Sequence, residues 1–231
     1  GLLGRKIDAV MRNARLVIAG NTYLSEKAVQ SGAKWVEWLP TVVDETRYRL
    51  KPLIKRQVFT IGWIGSPTTA IYLKPLYAVF DRLRQYSEIR LVLVGGCPKG
   101  IQCAFPVECR SWSEETEAAQ MLDFDVGIMP IPDEPWAYGK CGYKLIQYMA
   151  CGLPVVASRV GANIQIVQDG ANGYLASTKM QWEQAFRALQ ESPALRHAMG
   201  AQGRRSVEAH YSLQGTAPRL EKLIRDALRS E

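Results

Sequence analysis

The sequence predicts an α/β protein built on a parallel sheet with helices on both faces, and three observations carry that prediction. Short apolar runs recur without polar alternation: VFTIGWI at 58–64, LVLVGG at 91–96, VGIMPI at 126–131 and PVVAS at 154–158. Runs of this kind are strands buried on both faces, as parallel sheets require. Segments with helical periodicity alternate with these runs, which is the pattern of strand–helix–strand crossovers. Each strand then gives way to glycine, proline or small polar residues, so loops gather at the carboxyl ends of strands, where such sheets bind ligands.

Composition bounds the answer. The chain has 231 residues, 47% hydrophobic and 22% charged, which is ordinary globular composition for one large domain or two small ones. No apolar run approaches the ~18 residues of a membrane span, and no signal-peptide pattern follows Gly1. The net charge of +7 suits an anionic ligand or an anionic membrane surface. No basic stripe is interleaved with aromatics, so a nucleic acid partner is not expected. Cys97, Cys103 and Cys109 are evenly spaced, which is not a zinc spacing. The five cysteines are expected to be free thiols of a cytosolic chain.

In chain order, residues 2–13 carry a helical stripe of Leu3, Ile7, Val10 and Met11. A strand follows at 15–19. Asn21 and Thr22 can cap a helix at 23–31, which Gly32 stops. Another strand covers 34–39, and LPTVVD opens a link that runs to Pro52. About 45 residues of this kind cannot bury a core alone. Residues 1–45 therefore read as the tail of an N-terminal domain and 46–231 as a second domain. The strand at 58–64 enters Gly65-Ser66-Pro67-Thr68-Thr69, a small-residue turn that lets backbone N–H groups approach an anion. A helix then runs to Leu83 with a break expected at Pro75. Strands at 89–94 and 105–109 precede Arg110-Ser111-Trp112-Ser113, and a helix runs from Ser113 to about Leu122. Beyond residue 161 come a short helix at 163–168, turns at 169–173 and a strand at 174–176. Helices are expected at 181–190, 193–211 and 218–228.

Residues 125–161 carry the most chemistry. A strand at 126–131 leads into a loop at 133–139 holding Asp133, Glu134, Trp136 and Tyr138. A helix from about Cys141 follows, and Gly152 and Pro154 stand where a helix should stop. Lys140, Lys144 and Gln147 fall at i, i+4 and i+7 and are expected on one face. A helix that begins at the carboxyl end of a strand, with two lysines on its first turn, is equipped to hold phosphate. The other reading is a solvated, lysine-bearing surface helix. Gly65, Ser66, Trp112, Asp133 and Lys144 all fall at strand ends, and that convergence favours a ligand site.

The run KLIQYMACGLPVVASRVGANIQIVQDGANGYLA at 144–176 resembles the signature of glycosyltransferase family 4, in the C-terminal domain of the GT-B fold. VFTIGWIGSP, LVLVGG and WSEETEAAQMLDFDVGIMPI support it, and the resemblance covers roughly 56–228. It implies a Rossmann-like sheet that binds a nucleoside diphosphate sugar, UDP- or GDP-linked. It also implies a glycan or lipid-linked acceptor held mainly by an N-terminal domain, of which 15–44 resemble the last strands and helix. Transfer with retention and without a metal or other cofactor is implied, with this chain alone inactive or nearly so. The expected compartment is the cytoplasm, with peripheral attachment to the inner membrane face as the membrane option.

Carried over by position, Lys144 matches a lysine beside the donor phosphates, with Lys140 assisting. Gly65 and Ser66 are the expected main-chain donors to the diphosphate. Gln147 stands where relatives have a ribose-binding glutamate, a neutral amide replacing a charge. Arg110, Ser111 and Trp112 are expected to flank the base, and Gly142 and Tyr143 belong to the same wall. Trp112 as a core tryptophan and Arg110 as a surface charge are the alternatives. The family's earlier glutamate falls on Gly139, so Glu134 or Asp133 is its candidate replacement, and Lys144 and Glu134 are the catalytic candidates. Many relatives also carry a basic pair after the domain's first strand, where this chain has Trp63 and no lysine until Lys74. An epimerase or phosphorylase on the same fold, and a non-catalytic nucleotide-sugar-binding module, are the competing functions.

Overall fold

The computed structural model describes residues 2–52, 57–98 and 103–229. Six strands form one parallel sheet: β3 (Phe59–Ile64), β4 (Ile89–Val94), β5 (Val107–Arg110), β6 (Val126–Met129), β7 (Val155–Ser158) and β8 (Gly173–Ala176). Their order is β5-β4-β3-β6-β7-β8. The chain builds outward from β3 to β5 and then crosses back to lay β6 on the other side of β3. The crevice between the carboxyl ends of β3 and β6 is therefore the point where strand order reverses, the place such sheets leave open for a ligand.

Every residue of β3 is buried, which explains its unbroken apolar run. Phe59, Ile61 and Trp63 point to a face covered by α3 (Tyr77–Leu83) and α8 (Lys179–Glu191), where they join Leu73, Phe80 and Phe186. Ile64 and Val92 point to the opposite face, beneath α4 (Glu117–Met121), α6 (Tyr143–Ala150) and α9 (Pro193–His210). Pro75 lies in a 3-10 helix, Ala70–Leu76, that ends where α3 begins, so the expected break is present. A capping box of Thr178 and Gln181 starts α8. The last helix, α10 (Leu213–Arg229), starts earlier than the expected residue 218. Ser212 Oγ accepts from the Gly215 N–H at 2.9 Å and sets that start, leaving Pro218 inside the helix rather than at its head.

The opening residues form α1 (Leu2–Asn13), β1 (Val17–Ala19), α2 (Thr22–Gln30) and β2 (Val36–Trp38), with β1 and β2 paired parallel in a separate two-stranded sheet. The carboxyl-terminal helix returns to this unit: Arg219 reaches Glu37 at 3.2 Å, and Arg15 donates to the Ala227 carbonyl at 3.4 Å. The link is tied down as well, since the Val43 N–H donates to the Tyr211 carbonyl at 3.0 Å and its own carbonyl accepts from Leu213 at 2.9 Å.

The cysteine expectation is overturned for two of the five. Cys97 and Cys109 form a disulfide with Cα atoms 5.7 Å apart, while Cys103, Cys141 and Cys151 are free. Linear spacing hid this because the pairing depends on register. Parallel pairing sets Leu93 beside Cys109, so Cys97, just past the end of β4, lies within reach. The free-thiol argument for a cytosolic chain loses its basis. Among the described residues, no helix is long and apolar enough to cross a membrane.

Candidate functional site

The site forms around the end of β3. Its last residue leads into Gly65, whose N–H donates to the Val94 carbonyl at 3.0 Å and extends the β3–β4 pairing by one residue. That corrects one expectation: the Gly65 N–H is consumed by the sheet and does not face a ligand. The glycine is needed for a different reason. A Cβ at this position would fall 2.6 Å from the Lys144 ammonium and would also strike the Trp63 ring. Gly65 therefore lets the lysine descend onto the strand end. Ser66 follows in the exposed turn, its hydroxyl 2.8 Å from that of Thr68. Among the described residues its N–H has no backbone partner.

Lys144 lies in the first turn of α6, entered through Gly142 at a φ of 67°, and Tyr143 beside it is exposed. Its ammonium stands 4.6 Å from the centroid of the buried Trp63 ring. The aromatic face thus occupies the place where relatives were expected to carry a basic pair, and it holds the incoming cation from below. Lys140 is not on α6 as expected. The helix starts at Tyr143, and the left-handed turn at Gly142 separates the two, so Lys140 lies in the loop after α5 (Pro135–Tyr138). Its ammonium sits 3.9 Å from the centroid of the Trp136 ring. The two lysines still converge, lining one cleft with Trp63, Tyr72, Ile131 and Trp136. Among the described residues no carboxylate forms an ion pair with either. Burial, with a smaller contribution from Lys140, lowers the Lys144 pKa to about 8.

Asn21, legible in the sequence only as a helix cap, also fixes the Lys140 loop. Its Oδ1 caps Leu24 at 2.8 Å, while its amide donates to the carbonyls of Tyr138 and Lys140, each at 3.0 Å. No local pattern announces this contact, because the partners are more than a hundred residues apart.

The expected base-flanking residues divide. Trp112 is 52% exposed, which rules out the core alternative, and its indole N–H donates to Glu117 Oε2 at 2.7 Å. Arg110 is neither a free flank nor a surface charge. Its Nε donates to Glu108 at 2.7 Å and its Nη1 to Asp123 at 2.9 Å, so two carboxylates hold it back along the sheet edge. Ser111 is exposed and its carbonyl accepts from Gln120 at 3.0 Å. Gln147 is buried, and its amide nitrogen donates to Glu117 Oε1 at 2.8 Å and to the Tyr48 hydroxyl at 3.0 Å. Glu117 and Tyr48 were not singled out from the sequence, which offers no signal for a contact between the link and two helices.

Of the loop carboxylates, Asp133 accepts from the Tyr138 hydroxyl at 2.7 Å. Glu134 is exposed at the start of α5 and makes no side-chain cap bond. A Cβ on Gly139 would meet the Trp136 carbonyl at an ordinary 3.6 Å, so the missing glutamate there is not a matter of space.

The comparisons with known proteins bear on the family and the fold. The family model described as "Glycosyl transferases group 1" matches residues 55–192, more than half of the chain. An N-acetyl-alpha-D-glucosaminyl L-malate synthase of Bacillus anthracis is 31% identical over 93 residues, 39% of this chain and 24% of that protein. A D-inositol 3-phosphate glycosyltransferase of Pseudarthrobacter chlorophenolicus is 37% identical over 85 residues, 36% of this chain and 19% of that protein. The matched stretches thus span a quarter or less of these relatives' length. Among solved structures, Anabaena HepE in complex with UDP and glucose superposes with a TM-score of 0.79 at 16% identity, over 96% of this chain and 66% of that one. A glycosyltransferase of Rickettsia africae gives 0.79 at 12% identity, over 100% and 68%. These structural likenesses carry the fold. The family match shows that the chain belongs to the group 1 glycosyl transferases.

Proposed function

We propose that this chain is the donor-binding part of a sugar transferase that uses a UDP- or GDP-linked sugar. Residues 46–231 would hold the donor, and residues 1–45 would be the end of an acceptor-binding domain. The carrying observation is Lys144: a partly buried ammonium on an aromatic face, without a carboxylate partner among the described residues, at the crevice where strand order reverses. A cation kept out of water with no counter-charge is unfavourable unless a ligand supplies that charge. A nucleoside diphosphate leaving group gains negative charge as the sugar departs, and fixed cations stabilise it most in such a site. Lys144 and Lys140 would take the diphosphate, Ser66 would add its N–H, Gln147 would meet the ribose and Trp112 would lie against the base. On this reading the lysines supply the positive charge at the leaving group, and the reaction runs with retention and without a metal. Glu134 is the carboxylate proposed to replace the one missing at Gly139.

HepE, alike in fold, is in complex with UDP and glucose, which supports a nucleotide ligand for this chain. The lack of a carboxylate at Gly139 favours a second reading, a module that binds nucleotide sugar without transferring it. Calorimetric titration of UDP and GDP tests what both readings share, binding being expected with one of them. No heat with either at high protein concentration would overturn it. Sugar transfer by the full-length protein, given a matched donor and acceptor, separates the two readings.

A further inference from the structure

We infer that Glu117 is a positioning residue that sets the direction of the Gln147 amide and so turns a neutral side chain into a hydrogen-bond acceptor for the ligand. The inference rests on the donor-binding reading above. Its basis is a buried network that the expected site did not contain. Glu117 and Gln147 are 6% and 2% exposed and lie on neighbouring helices, and Tyr48, 5% exposed, comes from the link before β3. A carboxylate accepts hydrogen bonds and has none to give, whereas an amide has one donating end and one accepting end.

Glu117 Oε2 takes the Trp112 indole N–H at 2.7 Å, and the indole can only donate. Oε1 takes the Gln147 amide nitrogen at 2.8 Å and the Tyr48 hydroxyl at 3.3 Å. The same amide nitrogen donates to the Tyr48 oxygen at 3.0 Å. Reversing the amide would set its carbonyl oxygen against the Glu117 carboxylate, leaving buried acceptors facing each other, and the single Tyr48 hydroxyl proton could serve only one of them. The NH₂ end is therefore fixed toward Glu117, and the carbonyl oxygen is fixed away from it. Lys144 lies three positions earlier on the same helix, so Gln147 shares its side of α6. An acceptor locked in that direction is suited to a donating hydroxyl of the nucleotide's sugar. The same carboxylate also accepts from the Trp112 indole, so one buried side chain fixes both Gln147 and Trp112.

The test compares UDP with 2′-deoxy-UDP, or GDP with 2′-deoxy-GDP if guanine is preferred, by calorimetry on the wild-type chain and three variants. The wild type is expected to favour the ribonucleotide several-fold, about 10-fold at most for one hydrogen bond. Glu117→Gln offers Gln147 an amide in place of the carboxylate and releases its orientation, so the ratio should fall toward one. The exchange Glu117→Gln with Gln147→Glu moves the carboxylate to α6, where it can only accept, and should restore the ratio. Gln147→Met keeps an unbranched side chain without an acceptor and should lose the ratio even if Glu117→Gln fails to fold. A ratio near one in the wild type, or one that survives Glu117→Gln or Gln147→Met, overturns the inference while leaving nucleotide binding intact. Absence of binding to the wild type overturns the donor-site reading and this inference with it.

Discussion

Lys51 and Lys144 both withdraw their ammonium groups from solvent, at opposite edges of the same parallel sheet. At the amino edge, Lys51 meets Asp125 at 2.6 Å and also the Phe124 carbonyl, just before β6 begins. Asp125 is itself tied to the Thr60 N–H at 2.9 Å, and Arg196 approaches it at 3.8 Å. At the carboxyl edge, Lys144 rests on Trp63 with a second cation nearby and no carboxylate paired to it among the described residues. The contrast separates two uses of a buried cation. One closes a polar junction between link and sheet and belongs to the fold. The other is left electrostatically incomplete where strand order reverses, and belongs to a ligand.

Removing the carboxylate at the amino edge should have the largest effect. Asp125→Ala removes a buried carboxylate shared by Lys51, the Thr60 N–H and Arg196 and is expected to destabilise the chain by about 3–5 kcal/mol in denaturant unfolding. Asp125→Asn keeps an acceptor for Thr60 and should cost less. Neither should change nucleotide affinity where the protein remains folded, and a selective loss of affinity in a stably folded Asp125→Asn would break the division between the two edges.

Lys144→Ala should do the reverse. Stability is expected to stay level or rise, because a desolvated charge is removed, while diphosphate affinity falls about 10- to 100-fold, the worth of one charge-assisted contact. A large loss of stability in this variant would place Lys144 with Lys51 as part of the fold.

The pH dependence sharpens the same point. The folded chain holds Lys144 with a pKa of about 8, against 10.5 for an ordinary lysine. Between these values the unfolded chain binds more protons than the folded one, so the Lys144 contribution makes the unliganded protein more stable as pH rises through that window. Lys144→Met should abolish that part of the slope in a comparison of unfolding curves at pH 8 and pH 10. A bound diphosphate raises the pKa again, so binding should take up a proton and weaken as pH climbs above about 8. Calorimetry in buffers of different ionisation enthalpy would read that proton directly.

The smallest effect concerns the aromatic support. Trp63→Phe keeps a ring under Lys144 but weakens the face that attracts it, and should reduce diphosphate affinity only a few-fold, since such contacts contribute on the order of 1 kcal/mol. An effect as large as that of Lys144→Ala would mean that Trp63 shapes the cleft rather than merely supporting the charge.

Much of the fold was legible in the residues. The unalternated runs at β3, β4, β6 and β7 required a sheet buried on both faces, and Gly152 at a φ of 70° ends α6 where expected. Lys144 does stand in the first turn of a helix, as its spacing predicts. What remained hidden depended on partners distant in sequence. The Gly65 N–H looked available until the register of β3 on β4 assigned it to Val94. Arg110 looked like a flank until Asp123 and Glu108 claimed it, and Gln147 joined Tyr48, 99 positions away. Cys97 and Cys109 were unpaired on paper for the same reason, since only adjacent strands bring them together. Periodicity reports which face a residue occupies, not which distant group its polar atoms will meet.

The role of Lys144 at the diphosphate is tested most directly by titrating the wild-type chain and Lys144→Ala with the diphosphate and with the corresponding nucleoside, using UDP and uridine or GDP and guanosine. The wild type is expected to bind one diphosphate, and Lys144→Ala to lose about 10- to 100-fold for it while nucleoside binding is nearly unchanged. Equal losses for diphosphate and nucleoside, or a wild type that binds neither diphosphate, would contradict it.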